Sequence, residues 1–177
     1  LTVLRTIAMS HTGTLGEKLF EYPQYYKTDG LFFANDSSTV LRYTNDSIYY
    51  LLGVRPYNGE DRMEFLRNIC YKGTGKSTSL DYYLSALLLE KRLDAFAQAI
   101  VDFCEPDEEF ARYYKEAMLI YRDRHPDYPI QVTDSVMIQR YAEYKVRRKD
   151  FTSAIEERNK MRREFGETYW WYFDYQH

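Results

Sequence analysis

A chain of 177 residues is long enough to bury a core without a metal or a disulfide framework, and its formal charge of −3 gives no surplus of Lys and Arg to neutralise a phosphate backbone. Nucleic acid is therefore excluded as the expected partner. Aromatic residues make up 18% of the chain, with 19 Tyr and 10 Phe, which suits thin helical layers where many side chains sit half in a core and half in water.

The chain opens at Leu1 inside a helical pattern and without a methionine, so a piece of a longer protein is expected. It shows neither a signal peptide nor a run of about 20 apolar residues able to span a membrane. Helices are read near Thr2 to Thr12 and around Leu15 to Glu21, followed by a long loop through Pro23 and Asp29-Gly30. Val40, Ile48, Leu51 and Leu52 predict a helix ending at Gly53, and Asn58-Gly59 turns the chain into a further one carrying Met63, Leu66, Ile69 and Cys70.

Gly73-Thr74-Gly75-Lys76-Ser77-Thr78 has the glycines, lysine and hydroxyls of a phosphate-cradling loop. The first glycine of such a loop would lie five residues before Gly75, where Cys70 stands on a helix instead of a strand end. A polar turn before a helix cap is the reading preferred, and nucleotide binding at Gly73 to Thr78 is not expected.

From Ser79 the period is clear: Leu80, Tyr83, Leu84, Leu87 and Leu88 share one face, with Thr78 and Asp81 set as a capping box. After Glu90-Lys91-Arg92 the spacing restarts with Leu93, Phe96, Ala97, Ile100, Val101 and Cys104, giving an antiparallel pair stopped by Pro106. Asp107, Glu108 and Glu109 are placed in the first turn of the next helix, and Arg122, Arg124 and His125 in its last, as the helix dipole favours. That helix carries Phe110, Tyr114, Ala117, Met118 and Tyr121, and Pro126 ends it. A pattern from Val132 to Tyr144 follows, then a helix with Asp150 as N-cap for Phe151, Ala154, Ile155 and Phe165, and Gly166 as its left-handed C-terminal residue.

Chemistry-bearing residues are sparse. His11, His125 and His177 fall in separate regions with no partner at metal-ligand spacing, so no metal is expected. Cys70 and Cys104 lie on apolar stripes and read as core residues, a disulfide between them being the alternative. Glu108-Glu109, Glu143 and Glu156-Glu157 fall on polar helix faces. Asn35-Asp36-Ser37 and Asn45-Asp46-Ser47 match glycosylation acceptors but are preferred as turns and caps. Arg147, Arg148, Lys149, Arg158, Lys160, Arg162 and Arg163 read as a solvated face or a positive end. The run Tyr169, Trp170, Trp171, Tyr172 and Phe173, with Tyr175, would ring a single helix with aromatics. It must be covered on more than one side, as a cap on the helical stack or as an interaction surface for a partner.

The expected fold is all-α: a single domain over 1–177 of stacked antiparallel helical hairpins in a tetratricopeptide-like α-α superhelix, without an exact sequence repeat.

The segments Leu15–Gln24, Ser79–Leu84 with Leu87–Leu89, Arg112–Ala117 and Phe165–Tyr172 resemble, in order, the C-terminal soluble part of a family of predicted multi-pass membrane proteins from Bacteroidetes, grouped as a domain of unknown function. The resemblance implies an upstream membrane region and an extracytoplasmic, periplasmic location, and it brings no catalytic residues. The expected function is a non-catalytic protein-interaction or scaffolding domain, with a protein partner or the parent's own membrane region and no cofactor. The alternative is an accessory, substrate-recognition domain of a membrane-embedded enzyme handling glycans or lipid-linked substrates.

Overall fold

A computed structural model describes residues 1–34 and 43–176. These residues contain helices and turns only, so the all-α class and the helical-hairpin architecture stand. Where the sequence reads as one domain, the contacts divide the chain into two compact units, Leu1–Leu19 with Gln24–Arg92, and Phe20–Pro23 with Leu93–His177.

The first unit holds α1 (Thr2–His11), α2 (Leu15–Lys18), a 3-10 turn at Lys27–Leu31 inside the expected loop, α3 (Asn45–Leu52), α4 (Arg62–Tyr71) and α5 (Thr78–Leu89). All of them pack on α5, which buries nine of its twelve residues. Its sequence explains this: Tyr82, Ala86 and Leu89 fill the sides that the stripe of Tyr83, Leu84, Leu87 and Leu88 leaves open, and a helix apolar all round must be enclosed. The single buried face expected from the period is thus corrected to a central helix. Val40, expected to start α3, lies outside the described residues, as does Asn35-Asp36-Ser37. Asn45 is buried, and its amide exchanges two hydrogen bonds with the Phe33 backbone, at 2.8 and 2.9 Å, so the second acceptor motif serves as a local clasp.

The second unit holds α6 (Leu93–Phe103), α7 (Arg112–Arg124), α8 (Ser135–Arg147), α9 (Ala154–Phe165) and α10 (Tyr169–Tyr175). Each of α6 to α10 packs on the next, and α10 returns onto α7. The hairpin expected between Leu80 and Cys104 is therefore divided, since its first helix belongs to one unit and its second to the other.

Several caps differ from the sequence reading. Thr78 makes no capping box, because its hydroxyl donates to the Leu51 carbonyl at 2.7 Å. Asp107, Glu108 and Glu109 precede α7 instead of entering its first turn, which starts after Ala111. Ser153 is the residue before α9, while Asp150 closes a 3-10 turn at Arg148–Asp150, and Ile155 is exposed. Gly166 keeps a right-handed φ of −63°; glycine is needed there for space, because a Cβ would collide with the Arg162 carbonyl.

Candidate functional site

Two constellations hold the chemistry-bearing side chains. The first is the loop from Gly73 to Ser79. Gly53 ends α3 with φ +86°, a left-handed conformation that side chains resist, and exposes the last carbonyls of that helix. The loop takes them one by one. Lys76 Nζ donates to the Tyr50 carbonyl at 2.8 Å, Thr78 Oγ1 to Leu51, and both the Lys76 amide and Ser79 Oγ to Leu52, at 2.8 and 3.0 Å. The Gly73 amide donates to Cys70, and those of Thr74 and Gly75 to Ile69, closing the end of α4. A phosphate-cradling loop works by aiming free amides at the anion. Here the amides of Gly73, Thr74, Gly75 and Lys76 are all committed to carbonyls, and the motif is a double helix cap.

The second constellation surrounds Glu116, which the sequence reading does not single out. Glu116 lies on α7 and is 2% exposed. Its Oε1 accepts from Arg112 Nε at 2.9 Å, one turn earlier, and its Oε2 accepts from the Tyr169 amide at 2.6 Å. That amide is the first of α10, where the helix dipole favours a negative charge. Thr168 completes the cap: its hydroxyl donates to the Phe165 carbonyl and accepts from the Trp171 amide. Trp170 Nε1 donates to the Glu116 carbonyl at 3.0 Å, a second tie between α7 and α10.

Burial raises the Glu116 carboxyl to about 7, against the pull of the Arg112 guanidinium and the Tyr169 amide toward the charged form. Glu116 is at once the cap of a helix and a group that titrates near neutrality. A signal for it existed in the sequence: Tyr113, Ala117 and Ile120 at helical spacing place Glu116 on the apolar face of α7, with Arg112 at i−4.

Around this pair the C-terminal aromatics close the unit. Phe20 packs its ring against Tyr113, Tyr169 and Tyr172 with centroids 4.7 to 5.1 Å apart. Trp170 lies against Tyr141 and Tyr144. The Tyr144 hydroxyl donates to Asp174 Oδ2 at 2.6 Å, and Arg148 Nη1 reaches the same oxygen at 2.6 Å. Tyr175 bonds Glu157 through its hydroxyl. Of the six aromatics named as an interaction surface, Tyr169, Trp170, Trp171 and Tyr172 are buried within the unit, so their rings are not presented to a partner; Phe173 and Tyr175 are half-buried.

The remaining candidates stay apart. His11 is exposed, His125 stacks on Tyr121 with its Nε2 3.8 Å from Asp94, and His177 lies outside the described residues. Among the described residues no group of three His, Cys, Asp or Glu is placed to hold a metal ion. No disulfide joins Cys70 and Cys104, which are both half-buried, and burial pushes the Cys70 thiol up to about 12, far from a reactive thiolate.

The outer layer of the second unit is the region without internal cover. α8 buries only Tyr141 and Tyr144 of its thirteen residues, leaving Val136 75% and Val146 63% exposed, with Ile138 and Ala142 exposed between them. Beside Val146 an open groove of about 490 Å³ is lined by Gln139, Ala142, Glu143, Arg147, Glu164 and Phe165. No helix among the described residues is long and apolar enough to cross a membrane.

Comparison with curated proteins and with solved structures finds no match for the chain. One family model does match, over residues 55–176, a stretch that takes in the capping loop, Glu116 and the aromatic C-terminus; the chain belongs to this family of unknown function, DUF6057.

Proposed function

We propose that the chain is a non-catalytic interaction domain whose docking surface is the outer layer of its second unit, formed by α8 and α9. One observation carries the reading: the row Ile138, Ala142 and Val146 recurs every four residues on α8, so three apolar side chains line one exposed face beside an open groove. The polar groups best placed for chemistry already have structural duties. Glu116 caps α10, Asp174 joins Tyr144 to Arg148, and Lys76 closes α3.

The resemblance to predicted multi-pass membrane proteins from Bacteroidetes supports a place in a longer, membrane-anchored parent, on its periplasmic side. The partner is then a separate protein or the parent's own membrane region. The likeness to tetratricopeptide arrays is one of architecture, paired helices that hide apolar faces by packing on their neighbours.

A photo-crosslinking residue in place of Val146 in the membrane-anchored parent tests the reading. The expected result is a discrete adduct, with none at Asp107 in an exposed loop. Equal, diffuse labelling at both positions would remove α8 as a docking face.

A further inference from the structure

The charges of the docking layer are not balanced within it. Residues 135–165 carry nine Lys and Arg against five Asp and Glu, a local +4 in a chain of net −3. α9 itself carries four Lys and Arg against three carboxylates, and every one of those carboxylates already has a partner. Glu156 pairs with Lys160 at 2.8 Å, Glu157 with Arg148 at 3.5 Å and with the Tyr175 hydroxyl, and Glu164 with Arg147 at 3.3 Å. Arg158 and Arg163 find no ion pair among the described residues, and Arg162 lies only over the Trp171 ring at 5.8 Å. Arg158 and Arg162 follow Ile155 at i+3 and i+7, so the two guanidinium groups and an isoleucine 75% exposed share one face of α9.

We infer that this face recognises an acidic segment of a protein partner, one that sets carboxylates against Arg158, Arg162 and Arg163 and an apolar side chain against Ile155. The inference rests on the interaction-domain reading above and gives the partner its chemistry. Guanidinium groups match carboxylates with paired N–H donors, and an uncompensated cationic patch steers and selects an acidic partner. A lipid surface fits less well. A helix that lies in a bilayer interface embeds a broad face of bulky apolar residues, and on α9 Met161 and Phe165 are buried inside the unit, which leaves Ile155 alone.

The test uses the full chain and a fluorescein-labelled helical peptide with Glu and Leu at alternating turns, followed by anisotropy, beside sedimentation with phosphatidylglycerol vesicles. Saturable binding of the peptide is expected, weakened by salt and lowered about tenfold or more in R158E/R162E/R163E, since each tenfold corresponds to only about 1.4 kcal/mol of lost charge pairing. The triple Lys variant keeps the charge but not the paired N–H donors, so its affinity should fall between those of the parent and of R158E/R162E/R163E, and both variants should melt with the wild type, these side chains being exposed. No saturable binding, binding indifferent to the charge reversal, or sedimentation with vesicles in place of peptide binding would each overturn the inference. If the Val146 adduct persists at full yield in the charge-reversed chain, the docking face stands and its acidic partner does not.

Discussion

α5 and α9 are both twelve residues long, and they solve opposite problems. α5 buries nine residues at the centre of its unit, with hydroxyls and tyrosines admitted among leucines; α9 buries Met161 and Phe165 and turns eight charged or amide side chains largely outward. The contrast teaches where stability and recognition reside in this chain. Side chains that hold the fold sit where every direction is occupied, and those free to meet something else sit on a helix fixed by one narrow stripe.

Substitutions in the enclosed set should sharpen that contrast most. Trp170→Ala removes a side chain 1% exposed together with its bond to the Glu116 carbonyl, and is expected to cost about 3–5 kcal/mol in a denaturant melt. A loss below about 1 kcal/mol would mean that α10 does not close the unit as described.

Next in size is the charge buried beside it. The folded Glu116 carboxyl titrates near 7 and the unfolded one near 4.5, so the folded state holds the proton more tightly between those values. The sign follows: this group's contribution is fully present below pH 4.5 and is lost as pH rises through 7. Relative to Glu116→Gln, the wild type should therefore gain about 2–3 kcal/mol on acidification across that window, read from paired melts at several pH values. Parallel pH profiles would remove Glu116 as a titrating group.

A smaller effect is expected where the first unit depends on its capping loop. Gly53→Ala places a Cβ in a left-handed residue and 2.9 Å from Lys76 Cγ, and should cost about 1–2 kcal/mol in thermal stability. ATP with magnesium should leave the melting temperature of the wild type unchanged, because the amides of Gly73 to Lys76 are taken by the ends of α3 and α4.

Smallest of all should be Ile155→Ala on α9, within about 0.5 kcal/mol of wild type. A larger loss would show that α9's outer face is packed, and the distinction between the two helices would fail.

Much of the fold was legible from local pattern. The ends of α1 and α6, the Gly53 stop of α3 and the breaks at Pro106 and Pro126 follow from apolar spacing and from residues that cannot continue a helix. Caps were read less well. Asp107 to Glu109 and Asp150 have the right chemistry for helix starts but lie three or more residues too early, since a short side chain caps only the amides its backbone brings within reach. The candidate site was the least legible part. Helical spacing puts Glu116 on the apolar face of α7, but its partner shows only once α10 returns and sets the Tyr169 amide against it.

The sequence by itself determined that the chain would be helical, where most helices run, and that the C-terminal aromatics needed cover on several sides. These follow from the period of apolar residues and the backbone limits of Pro and Gly, which act within a few positions. Only the tertiary structure decided which helix is central, that Leu80 to Leu89 and Leu93 to Phe103 serve different units, and that the Gly73 to Ser79 loop closes the ends of both α3 and α4. Those outcomes turn on which donors and acceptors meet across tens of residues, and the local pattern carries no record of such pairings.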